Sequence, residues 1–116
     1  MATQIKLIQV VFYRSLSGSE PVRNGLKALP ADDRRIIGYD IATAEFGWPI
    51  GMSLCRPLGH GLWEVRSRLT QGRIVRVLFC AAAGRLVLLH GFVKKTQKTP
   101  PAELDLARKR QKDLAG

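Results

Sequence analysis

Three strand-like stretches follow one another with almost nothing between them, and that spacing constrains the fold more than any other feature. Residues 61–69 (GLWEVRSRL), 73–82 (RIVRVLFCAA) and 85–93 (RLVLLHGFV) read as strands. Only TQG separates the first two and only AG the next two. Connections that short make hairpins, so the three strands run antiparallel.

The rest of the chain must cover this sheet. Residues 5–13 (IKLIQVVFY) read as a first strand, and SLSGSE after it is turn chemistry. Ser19 is placed to cap a short helix that carries Pro21 in its first turn and runs to about Leu29. Pro30 opens a second helix, PADDRRIIGYDIATAEFG, with Asp32 and Asp33 where the helix dipole favours acids. Ile36, Ile37, Ile41 and Ala44, with Tyr39, approximate its apolar stripe, and Gly47 ends it before Trp48 and Pro49. A last helix spans about Pro101 to Leu114, with Thr99 as its N-cap and Glu103 in its first turn. The order is β-α-α-β-β-β-α, a single domain over residues 1–116. The expected fold is α+β and two-layered: an N-terminal strand and a helical hairpin packed on a small antiparallel sheet, with a C-terminal helix. The other sheet face is then open to solvent or substrate.

A chain of 116 residues with 46% hydrophobic side chains suits one domain with a modest core. Lys6, Gln4 and Gln9 interrupt the opening segment, and no run approaches the ~20 apolar residues that span a bilayer. A cytoplasmic protein with no membrane partner is expected, its two cysteines, Cys55 and Cys80, free. The net charge of +10 is unevenly spread. Residues 1–55 hold six basic and five acidic side chains; residues 56–116 hold thirteen and four. A strongly basic second half points to a polyanion, an acidic protein or simply a solvated face.

Side chains alternate across a strand, which sorts them by face. Leu62, Glu64, Arg66 and Arg68 share one side of the first hairpin strand, and Arg76 shares a side with Ile74, Leu78 and Cys80. In the third, Leu86, Leu88, His90 and Phe92 alternate with Val87, Leu89, Gly91 and Val93. Lys94, Lys95 and Lys98 follow. Paired as hairpins, Arg66, Arg68 and Arg76 converge near the lysines, with Arg73, Lys94 and Lys98 placed to bind RNA. Arginine's planar fork matches phosphate oxygens.

Other chemistries lack their residues. No phosphate-cradling Gly-rich loop and no dinucleotide fingerprint occur. Glu64 stands without a second carboxylate among the strands, and His60 and His90 lie thirty residues apart, so no metal and no cofactor is expected. RNA cleavage suits what remains, because the RNA's own 2′-hydroxyl is the nucleophile. Arg and Lys neutralise the developing charge, and His90 either transfers protons or bonds within the fold.

The segments EPVRNGLKALPADDRRIIGYDI, FGWPIGM, LGHGLWEVRSRL, RIVRVLFC and LLHGFVKKTQKTPPAELDLARKR together resemble the phage-derived HigB-type branch of the RelE/ParE toxin superfamily. The resemblance runs from about Val10 to Lys112, and HGFVKKTQKTP is its most specific part. It implies two helices on a small antiparallel sheet and the toxin of a toxin–antitoxin pair that cuts mRNA on the ribosome. The implied partners are the ribosome, mRNA and a cognate antitoxin with a helix-turn-helix domain. It also implies catalytic roles for Arg66 and Arg68 in LWEVRSR, Arg76 in IVRVLF, and Lys95 with Lys94 beside it. Three positions depart from the pattern. Glu64 stands where a cation is common, His60 where an acid is expected, and no aromatic residue follows Lys98. Gyrase inhibition of the ParE kind and nonenzymatic RNA binding are the alternatives.

Overall fold

The computed structural model describes residues 8–48, 54–94 and 99–115. In chain order the elements are β1 (Gln9–Phe12), α1 (Pro21–Lys27), α2 (Ala31–Gly47), β2 (Cys55–Gly59), β3 (Leu62–Arg68), β4 (Ile74–Ala82), β5 (Arg85–Lys94) and α3 (Pro101–Ala115). The five strands form one mixed sheet in the order β1-β5-β4-β3-β2. The expected meander is present as β3, β4 and β5, antiparallel throughout, while β1 joins the edge of the sheet parallel to β5.

The short loops dictate those hairpins. His60-Gly61 joins β2 to β3 and Ala83-Gly84 joins β4 to β5, and all four residues have positive φ. Both central residues of such a two-residue turn must be left-handed if its twist is to match that of the strands. His60 thus occupies a left-handed turn position, which histidine tolerates better than most side chains. β2 was not foreseen: Pro57 and Gly59 in CRPLG weaken any strand signal, yet Cys55, Arg56 and Pro57 pair with Val65, Glu64 and Trp63.

Helices lie on both faces of the sheet rather than on one. α1 and α2 cover a core containing Val22, Ile37, Ala44, Val65, Val75, Val77, Phe79, Leu86 and Leu88. α3 covers Leu62, Leu78, Cys80, Val87 and Leu89 through Ala107 and Leu104. Just after α2, Trp48 packs edge-on against Trp63 and Phe79, at 4.9 and 5.5 Å between ring centroids. Of the expected α2 stripe, Ile37 and Ala44 are buried, whereas Tyr39 is 73% exposed. Two expected caps also differ. Glu20, not Ser19, precedes α1, and it makes no side-chain cap. The Thr99 hydroxyl turns away from α3 to meet Arg76 and Glu64.

A bulge in β5 corrects the face assignment made from alternation alone. Leu78 pairs with His90 but Phe79 pairs with Leu88, which leaves Leu89 as an extra residue. Leu86 and Leu88 therefore face α1 and α2, whereas Leu89 and Phe92 belong to the α3 side. Arg110 on α3 donates to the Leu89 carbonyl at 2.8 Å, giving the bulge's oxygen a partner. Arg108 donates to Leu58 O, and Gln111 to His60 O, so polar bonds as well as apolar contacts hold α3 on this face.

Candidate functional site

Strand register places most of the expected site on one face, in successive rungs across the sheet. Directly opposed residues of an antiparallel pair point to the same side. One rung runs Arg56, Glu64, Leu78, His90 across β2 to β5. The next runs Arg66, Arg76, Phe92, and the third Arg68, Ile74, Lys94. The antiparallel pairing expected from the hairpins thus does bring Arg66, Arg68 and Arg76 together.

Their environments are unlike. Arg76 and Glu64 are both fully buried, with Arg76 Nη1 3.0 Å from Glu64 Oε2. The same Nη1 donates to Thr99 Oγ1 at 3.1 Å, and Thr99 donates in turn to Glu64 Oε2. Arg56, half exposed, approaches the other carboxylate oxygen with Nε at 3.2 Å. Burial lowers the Arg76 guanidinium from its usual value; Glu64 opposes that drop, and Arg56 and Arg66 add to it. Two arginines thus pair with one carboxylate, and the cluster keeps an excess of positive charge. Arg66 is half-buried and Arg68 exposed, and among the described residues neither makes an ion pair.

His90 lies two strands from Glu64, about 10 Å at ordinary strand spacing. Its Nε2 is 3.1 Å from Glu103 Oε2 on α3, and its ring stacks on Phe92. A carboxylate on one ring nitrogen orients the imidazole and leaves the other nitrogen for a proton transfer.

Arg73 stands apart from this cluster. It makes a bidentate pair with Asp33 at 2.9 and 3.0 Å and also bonds Thr70, tying the start of α2 to the β3–β4 turn. The hydrogen bonds from Arg73 hold the Asp33 carboxyl below the ordinary range. Lys94 ends β5 on the third rung, although its side chain, like Lys95 and Lys98 entirely, lies outside the described residues.

Three contributors escaped sequence reasoning. Arg56 sits on the unforeseen β2. Glu64 reads as a lone acid until the register sets Arg56 opposite it and Arg76 diagonal to it. Glu103, expected only as a first-turn helix acid, meets His90 because α3 folds back over the sheet.

A small basic α+β protein with strand arginines gathered on one sheet face is the class that fold and site define. The chain belongs to the family of phage-derived Gp49-like proteins, whose model matches residues 24–112. In general terms that family is RelE-like and toxin-related. No curated protein matches the chain.

Proposed function

We propose that the protein is the toxin of a type II toxin–antitoxin pair, of the HigB type, and that it blocks translation by cutting mRNA on the ribosome. The observation that carries this reading is the rung arrangement: Arg66 and Arg68, without an ion pair among the described residues, beside a net-cationic Arg56–Glu64–Arg76 cluster, with His90 across the same face. The RNA 2′-hydroxyl attacks the adjacent phosphorus and the P–O5′ bond breaks. The products are a 2′,3′-cyclic phosphate and a 5′-hydroxyl that takes up a proton. Arg66 and Arg68 hold the phosphate and offset the charge that develops on it. His90, aligned by Glu103, moves a proton. Arg76 acts from below, holding Glu64 and through it Arg56. Lys94, Lys95 and Lys98 supply further positive charge for the RNA backbone, and a helix-turn-helix antitoxin with an acidic segment masks the basic half of the chain.

Brief induction in cells followed by mapping of RNA ends tests the reading. New cleavage sites within translated messages, together with arrested growth, are expected. Arg66→Ala with Arg68→Ala should reduce cleavage by something on the order of a hundredfold, the range for loss of electrostatic stabilisers. DNA breaks appearing first while translation continues would replace this reading with gyrase inhibition.

A further inference from the structure

Among the described residues β2 pairs with β3 as far as Cys55, which stands opposite Val65, and the following stretch of β3 lies beside α2. There Ile36 and Asp40 of α2, Leu54, and Arg66 and Arg68 of β3 line a cavity of about 290 Å³. Asp40 is half-buried. Among the described residues neither it nor the two arginines makes an ion pair or a side-chain hydrogen bond. One carboxylate, two guanidiniums and two aliphatic side chains therefore meet around a space of roughly nucleotide size, near the ~300 Å³ at which small-ligand sites begin.

We propose that this cavity is a nucleotide subsite and that it takes guanine. Arg66 and Arg68 suit the phosphate. Ile36 and Leu54 offer apolar surface to the faces of a base. Asp40 selects among bases, because an ionised carboxylate only accepts hydrogen bonds. Guanine presents two donors side by side, N1–H and the 2-amino group, which match the two carboxylate oxygens as a fork. Adenine and cytosine set a ring-nitrogen acceptor beside their amino group, and uracil flanks its one donor with carbonyls. Each of these would put a lone pair against Asp40. The inference deepens the ribonuclease reading by naming the base beside the phosphate, and it rests on that reading for its RNA substrate.

The test uses the full chain and mononucleotides, so it needs no cleavage. Isotope-labelled protein is titrated with 5′-GMP, AMP, CMP and UMP while backbone amide shifts are followed. GMP should shift residues 36–40 and 66–68 and bind about tenfold more tightly than the others. Asp40→Asn should remove that preference, weakening GMP while AMP binds at least as tightly as before because the lone-pair repulsion is gone; Arg68→Ala should weaken all four, and Asp105→Asn on the exposed side of α3 should alter none. Equal affinities, or shifts confined to other residues, would overturn the subsite. Guanine-selective binding by a protein that cuts no RNA in cells would sink the ribonuclease reading and leave the subsite standing. Cleavage without guanine-selective binding would do the reverse.

Discussion

Arg76 and Glu64 show how a burial environment can give a strand arginine a structural task. Taking two charges out of water costs several kcal/mol each, and mutual attraction repays this only while both are present. Arg76→Ala should therefore destabilise the fold by about 3 kcal/mol, the low end for a broken buried pair, because Arg56 remains beside Glu64. Replacing both Arg76 and Glu64 with leucine should restore most of that loss, and chemical denaturation of the two variants compares them. An Arg76 variant inactive on RNA is uninformative about catalysis until its folding is known, which makes Arg66 and Arg68 the better probes. Ser67 presents the opposite case. Its hydroxyl is buried without a hydrogen-bond partner among the described residues. Ser67→Ala should raise stability by about 1 kcal/mol in the same assay, since the desolvation penalty of the hydroxyl disappears. Burial also pushes the Cys55 thiol up to about 11 and raises that of Cys80. Both should resist alkylation at pH 8 until the protein unfolds, as mass spectrometry of reagent-treated protein would record.

Among the elements, turns and the bulge decide which residues reach the site. Ala83 holds a left-handed conformation, φ +51°, in the β4–β5 turn. A non-glycine residue there costs about 1–2 kcal/mol, less for asparagine, whose side chain bonds locally. Ala83→Asn should raise the unfolding free energy by about 0.5–1 kcal/mol, and an unchanged or lowered denaturation midpoint would refute the assignment of that turn. The β5 bulge has a larger consequence. Without the bulge, with Leu89 paired in a regular ladder, His90 would keep the side of Leu86 and Leu88 and point into the core under α1 and α2. With it, His90 joins the arginine-bearing face and meets Glu103. Glu45 serves a different element: from α2 it accepts the Val10 amide of β1, giving a backbone donor of this edge strand a partner.

For the whole molecule, the Asp33–Arg73 pair couples the helical layer to the sheet, and its titration sets an acid limit. Because Asp33 is held below the ordinary carboxylate range, the stability it supports is fully present above about pH 4, the unfolded value. That contribution is lost as pH falls through the lower folded value. Asp33→Asn should be less stable than the parent at pH 7, with the difference shrinking toward zero in strong acid; thermal unfolding across pH 2–7 measures it. A gap independent of pH would mean that the pair contributes through packing rather than charge.

Local chemistry alone determined a good part of this protein. Period-two patterning and turn-sized connections specify β3, β4 and β5 and their antiparallel order, because so short a loop admits no other return of the chain. Proline and acid placement mark α2 and α3, and the charge count marks the second half as the cationic one. Tertiary structure decided the rest. β2 exists because β3 offers it a partner, not because CRPLG favours a strand. The bulge, invisible to alternation, chose the face of His90. Exposure separated Arg66 and Arg68 from Arg76, and a partner forty residues earlier in the chain engaged Arg73. All four are arginines in the same stretch of sequence. What distinguishes them is the charge and solvent that the fold sets around each guanidinium, and that depends on residues distant along the chain.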